Sequence, residues 1–294
     1  MSRNSKSAFR AWFQMPLYKV EKLADHFIRE GWATLTHHCR TLLEKLQIKT
    51  EPLVLGTHAM LGGTMNSFRQ LPMVTNICAT DHNQFFLKFI RCMYNICHEY
   101  ISLLKTEEEL SAIMRCYEEV GLPGAMGSLD VVHVKWSSCP SGDYNCCKGK
   151  EGFPTLGFEC ISNYDRKILG VFGPQFGTQN DKHIVKLDEN VAAVRDNWYL
   201  TVKWNYFDEY GYLETKEGLY LICDNGYIQW PTTICPYMCS ATNGRLEECF
   251  SANLESVRKD VECVFGMILK CRWTCLDKGL KFHRIDICQQ IFFI

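Results

Sequence analysis

No apolar stretch in these 294 residues approaches the roughly 18 that a membrane-crossing helix needs, so a membrane span is not expected. The basic opening Met1-Ser-Arg-Asn-Ser-Lys6 has no apolar segment behind it, which argues against a secretory leader and for an intracellular chain. Internal repeats and low-complexity tracts are absent. So is Cys-x-x-Cys. The 17 cysteines offer only Cys235-x-x-x-Cys239 and Cys271-x-x-x-Cys275, neither joined to a second pair or to a His-x-x-x-His run. Reduced, buried thiols acting as small hydrophobes are therefore expected in preference to structural zinc. Gly121-x-x-Gly-x-x-Gly127 is not a phosphate loop, because it precedes a strand and lacks the Lys-Ser/Thr ending.

What is present is enough for a core: 47% of the residues are hydrophobic and 22% charged. A net charge of −1 does not mark a nucleic-acid binder, but its distribution is uneven. Residues 1–100 hold 12 Lys/Arg against 7 Asp/Glu, so from totals of 32 and 33 the rest holds 20 against 26. A basic front and an acidic rear fit a DNA-gripping module joined to one rich in carboxylates.

Residues 1–50 read as helices, with Phe9, Phe13, Tyr18, Leu23, Phe27, Leu42, Leu43 and Leu46 spaced between polar residues. A second helical region begins near Leu53 and breaks at Gly62-Gly63. Two short helices around a polar turn follow. The second carries Phe85, Phe86, Phe89, Ile90, Met93 and Ile96 at helical spacing and is capped by Thr80 or Asp81. The region near 52–98 thus has the outline of a helix-turn-helix, although Pro72 inside the first helix runs against it and a plain helical bundle has the same pattern. In the first reading Arg69, Lys88 and Arg91 are the residues offered to DNA phosphates. Residues 107–119 give one more helix.

After Gly121-Leu-Pro-Gly-Ala-Met-Gly127 the character changes. Ser128–Trp136 is β-branched and alternating, a strand. Residues 137–154 form a polar connection, Thr155–Ser162 and Lys167–Phe172 two further strands, and 180–198 a helical stretch. Leu219-Tyr-Leu-Ile-Cys223 is a strand buried on both faces. Residues 227–250 are loop-like, and a long helix runs from about Asn253 to Lys270. The division is a helical region over 1–120 and a mixed α/β sheet domain with flanking helices over 121–294.

Such a sheet can bring distant acids together. Asp130 lies in its first strand. Asp224 follows the buried strand at its C-terminal end, where open α/β sheets carry functional groups. Glu262 borders the apolar stripe Leu254, Val257, Val261, Phe265, Ile268 of the last helix, so it must be paired or hold a cation. Three carboxylates can hold two hard divalent ions about 3.5–4 Å apart, the arrangement that activates a water or 3′-hydroxyl for phosphodiester attack. Each acid also has an ordinary explanation. Asp224-Asn-Gly226 is a turn sequence, and Glu262 can pair with Arg258 one turn earlier.

At these residues the chain resembles the PIF/Harbinger-type transposases of the DDE superfamily, in particular plant- and protist-type transposon proteins. Gly127-Ser-Leu-Asp-Val-Val-His-Val-Lys-Trp136 resembles the family's first-aspartate strand. Cys139-Pro-Ser-Gly-Asp-Tyr-Asn145 and Lys148-Gly-Lys-Glu-Gly-Phe-Pro-Thr155 resemble the segment after it. Gly177-Thr-Gln-Asn-Asp-Lys182 is similar to the Asn-Asp motif, and Leu221-Ile-Cys-Asp-Asn-Gly-Tyr-Ile-Gln-Trp-Pro231 to the second-aspartate block. Ser256-Val-Arg-Lys-Asp-Val-Glu-Cys-Val-Phe-Gly266 is similar to the glutamate helix, with Arg272-Trp just beyond.

The resemblance, over roughly residues 50–290, implies an RNase H-like fold for residues 121–294. It implies Asp130, Asp224 and Glu262 as catalytic, metal-holding residues with two Mg²⁺ or Mn²⁺ ions, and cleavage and strand transfer at terminal inverted repeats of double-stranded DNA. A Myb-like DNA-binding partner protein and nuclear residence come with the family, and synapsis of two ends implies a homo-oligomer. The family continues past the glutamate helix to a Leu-His-Asn-like segment, whereas this chain ends in Gln289-Gln-Ile-Phe-Phe-Ile294, which implies a copy truncated at the C-terminus.

Other residues are open to two readings. His133 can act as a base, but a hydrogen-bonded structural histidine fits better. Lys148 and Lys150 can meet phosphate oxygens or form a solvated loop. Asp181 is an outer-shell acid or, preferably, a helix N-cap. Trp230 and Trp273 can stack on a base, with core packing the better fit. Two rivals to the transposase core stand beside it: a catalytically silent, domesticated or decayed transposase-derived protein that binds DNA or a partner, and an RNase H-like nuclease acting on RNA hybrids.

Overall fold

β1 (Ala125–Lys135) organises the larger part of the molecule, which was analysed as a computed structural model describing residues 15–32, 50–208, 210–238 and 244–294. Phe9, Phe13, Leu42, Leu43, Leu46 and Cys239 lie outside these. The residues form two compact units, 1–98 with 267–294, and 99–266. This differs from the sequence division after residue 120: the last 28 residues, 267–294, group with the front helices and not with the sheet. The first unit holds 17 Lys/Arg against 8 Asp/Glu; from the chain totals of 32 and 33, the second holds 15 against 25.

In the first unit, α1 (Leu17–Arg29) buries Val20, Ala24 and Phe27 along one stripe. α2 (Thr50–Leu61) is followed by the single-turn α3 (Pro72–Thr75) and by α4 (Ala79–Ile96), which buries Phe85, Phe86, Phe89 and Ile90. Pro72 stands at the first position of α3, where its missing N–H costs nothing, so it starts that helix and does not interrupt one. Asn76 makes the turn in the left-handed conformation, φ 58°. Neither Thr80 nor Asp81 caps α4; Cys78 does, its Sγ accepting from the Asp81 amide. Phe27 stacks on Phe89 at 5.0 Å. The C-terminal segment completes this core: Phe282 stacks on Phe86 at 5.7 Å, and Phe293 meets Tyr94 edge-on.

In the second unit, α5 (Glu107–Glu119) begins where Thr106 accepts from the Glu109 amide while the Glu109 carboxylate accepts from Lys105. β2 (Thr155–Ser162) and β3 (Ile168–Phe176) follow β1. Next come α6 (Asp181–Leu187) and α7 (Glu189–Asp196), broken by Asp188, which caps the second. A separate hairpin, β4 (Lys203–Phe207) with β5 (Leu213–Glu217), precedes β6 (Tyr220–Ile222), β7 (Thr233–Ile234) and α8 (Arg245–Phe265).

The five-stranded sheet has the order β3-β2-β1-β6-β7. β1–β2 and β2–β3 are antiparallel, while β1–β6 and β6–β7 are parallel, so the sheet is mixed as expected. α5 and α8 pack on β1. Met126, Leu129, Ile161, Leu221, Ile222 and Leu254 form the buried centre, and β6 is covered on both faces. The hairpin was not foreseen. α8 starts some eight residues before the expected Asn253, and a π-helical stretch, Gly266–Arg272, follows it. None of the described helices is long and apolar enough to cross a membrane.

Candidate active site

The parallel pairing of β1 with β6 sets the geometry. Ser128 is registered with Ile222, and carrying the register on by two residues brings Asp130 beside Asp224. Asp130 stays in β1 beyond the end of β6, so its carboxyl stands where the shorter strand has given way to the Asp224 turn. Val131 N–H donates to Asp130 Oδ1 at 2.9 Å, and Gly226 N–H donates to Asp224 Oδ1 at 2.7 Å, which fixes both side chains from the backbone.

Asp181 joins them. It does not cap α6: Asn180 does, accepting from the His183 amide. Asp181 opens the helix and turns toward Asp224 instead. A Cβ on Gly226 would lie 2.8 Å from Asp224 Oδ1 and 2.9 Å from Asp181 Oδ2, so the glycine leaves room between two carboxylates. Nothing in the Asn-Asp dipeptide distinguishes the capping residue from the acid after it.

Burial, first of all, pushes the Asp130 carboxyl up to about 6, with Arg258 opposing and Asp224 and Asp181 adding to the rise. Burial and then Asp224 raise Asp181, while Lys150 and His133 lower it. The three aspartates therefore feel one another's charge.

Glu262 behaves differently. It lies on α8 with its side chain half exposed, and Arg258 Nη2 donates to its Oε1 at 2.8 Å. The same guanidinium donates through Nη1 to Asp130 Oδ2 at 3.3 Å and through Nε to Glu255 Oε2 at 3.3 Å. The pairing of Glu262 with Arg258, an ordinary alternative on sequence, is thus present, but it extends to the first aspartate. The oxygen-only donor chemistry suits a hard divalent ion. As arranged, however, no three His, Cys, Asp or Glu among the described residues gather closely enough to hold one.

Other expected residues fall as follows. His133 Nδ1 and Thr155 Oγ1 are hydrogen-bonded at 3.2 Å, and burial lowers the imidazole, which fits a structural histidine. Lys150 is exposed and electrostatically coupled to Asp181; Lys148 lies over the Tyr144 ring, 5.9 Å from its centre. In the other unit Arg69 and Arg91 are exposed and Lys88 partly so. Trp230 is covered by Arg195, and Trp273 stacks on His58. The described cysteines are all free thiols.

Two roles went unread in the sequence. One is the reach of Arg258 beyond Glu262 to Asp130. The other is that of Glu159 on β2, fully buried beside Asp188 and Tyr227, with no hydrogen bond closing on either carboxyl oxygen. Burial and then Asp188 hold it well above the usual carboxyl range, favouring its neutral form. Its only sequence signal is an acid inside an otherwise apolar strand.

Residues 99–292 match the family described as plant transposon protein. No curated protein and no solved structure matches the chain.

Proposed function

This chain belongs to the plant transposon protein family, and from that membership we propose that its sheet unit is the DNA-cleaving and DNA-joining core of a transposase of the PIF/Harbinger type. The observation that carries the reading is that Asp130 in β1 and Asp224 just past the end of the parallel neighbour β6 feel each other's charge, with α8 bringing Arg258 and, through it, Glu262 to Asp130. The strand order, antiparallel through β3-β2-β1 and parallel through β1-β6-β7, supports an RNase H-like fold. In this reading Asp130, Asp224 and Glu262 are the catalytic acids and Mg²⁺ or Mn²⁺ the cofactor. Asp181 backs Asp224, and Lys150 offers a positive charge to DNA phosphate at the rim.

The helical unit, with its excess of Lys and Arg and its short helix, left-handed turn and capped α4, is proposed as a helix-turn-helix-like grip on the terminal repeats. A Myb-like partner, a homo-oligomer at synapsis and nuclear residence complete the proposal.

A second reading draws on the ion pairs themselves. Arg258 occupies two of the three proposed acids, as it would in a silent, DNA-binding descendant of a transposase. Purified protein incubated with Mn²⁺ and a terminal-repeat duplex separates the two. Under the first reading the duplex is nicked, and Asp224→Ala abolishes nicking while binding persists. Binding without nicking by the unaltered chain would leave the silent reading standing, and preference for an RNA–DNA hybrid would point to a hybrid nuclease.

A further inference from the structure

Arg258 is a poor candidate for an ordinary surface ion pair. Its side chain is only 12% exposed, and three of its nitrogens are committed to three different carboxylates. Two partners, Glu255 and Glu262, lie one turn before and one turn after it on α8, as helical spacing dictates. The third, Asp130, lies 128 residues away in sequence, on β1. A planar, forked guanidinium presents its donors to all three in a fixed geometry, which the compact point charge of an ammonium does not. The consequence is that Asp130 and Glu262 are joined through a positive charge, and among the described residues no three acids converge as a bare metal site would require.

We propose that Arg258 is the resident cation of this site, competing with a divalent ion for Asp130 and Glu262 and retiring onto Glu255 when the ion enters. The inference rests on the metal-dependent reading of the same carboxylates. Glu255 makes retirement feasible: it holds the guanidinium from the N-terminal side and is not among the acids proposed for the metal, so Arg258 can release the other two without moving the helix backbone. The site is then closed to cations by default and opened by displacement, with affinity set by the exchange of one cation for another.

The test is a titration of the full chain with Mn²⁺ alone, followed by calorimetry, comparing the unaltered protein with Arg258→Gln and Arg258→Lys. Circular dichroism would verify that each is folded. Removing the competitor should tighten Mn²⁺ binding by about ten-fold in Arg258→Gln, within the range typical of coupled sites. Arg258→Lys, which keeps the charge but loses the fork, should fall between. Mn²⁺ should also raise the melting temperature of Arg258→Gln more than that of the unaltered chain. If the folded Gln variant binds Mn²⁺ no more tightly, or more weakly, Arg258 merely supports the site and the proposal is overturned. Should Gln not fold, the Lys variant decides on the same criterion. Absence of Mn²⁺ binding in every variant would instead overturn the metal-dependent reading, and this inference with it.

Discussion

His58 has neither ring nitrogen hydrogen-bonded, is 2% exposed, and packs between the rings of Phe89 and Trp273. Burial lowers its pKa from the usual 6.5 to about 4. His82, hydrogen-bonded to Thr75, is lowered similarly by burial despite Asp81, and Gly56 leaves space for its ring. The unfolded chain takes up protons on these residues below about pH 6.5, and the folded one only near pH 4. The stability they confer is therefore whole above pH 6.5 and lost as pH falls from there toward 4. For His58 the effect is roughly 3 kcal/mol at most, at about 1.4 kcal/mol per pKa unit. Thermal melts at pH 7 and pH 5 should show the first unit weakening in acid, and His58→Gln should flatten that dependence. An acid-insensitive melt would contradict the buried, neutral imidazole.

At the scale of elements, Trp204 anchors the hairpin β4–β5 to its unit. Trp204 donates from its indole to the Gly218 carbonyl, meets Tyr220 edge-on, and covers Gly124. Gly124 has φ +86°, a conformation that disfavours side chains, and a Cβ there would collide with the Trp204 ring. Gly124→Ala should cost several kcal/mol in chemical denaturation, as overpacking and backbone strain act together. Phe207→Ser, on a side chain 73% exposed, should stay within about 0.5 kcal/mol.

The same contrast shows what could be read in the sequence. β1, β2, α5 and the buried run at β6 were legible because each has one dominant periodicity and clear punctuation. The positions of Asp130 within the first strand and of Asp224 just after the buried one were legible because the β-branched and apolar runs around them mark those strands. The hairpin was not, since β4 alternates only between exposed and half-buried residues and β5 is exposed throughout, with no buried face to betray them. Cys78 as a cap, Asp181 turned toward Asp224, and Arg258 bridging α8 to β1 all depend on contacts between segments, which no local pattern encodes.

On the scale of the whole molecule, charge is partitioned by unit: a surplus of Lys and Arg on one, of Asp and Glu on the other. DNA binding by the full chain should therefore weaken steeply with salt through the basic unit. Arg91→Ala, at an exposed position on α4, should reduce the slope of log affinity against log salt by about one if that side chain meets a phosphate. An unchanged slope would place the DNA elsewhere.

The first unit is assembled from both ends of the chain: Thr274 donates to the Gly62 carbonyl, Lys278 to that of Gly63, and Phe282 lies flat on Phe86. During synthesis, then, α4 would lack the Phe282 face of Phe86 until residues 267–294 are made, whereas the described strands of the sheet unit all precede Gly266. Synthesis itself would thus order the folding, sheet before helices, and a stalled nascent chain would present an open apolar face to chaperones.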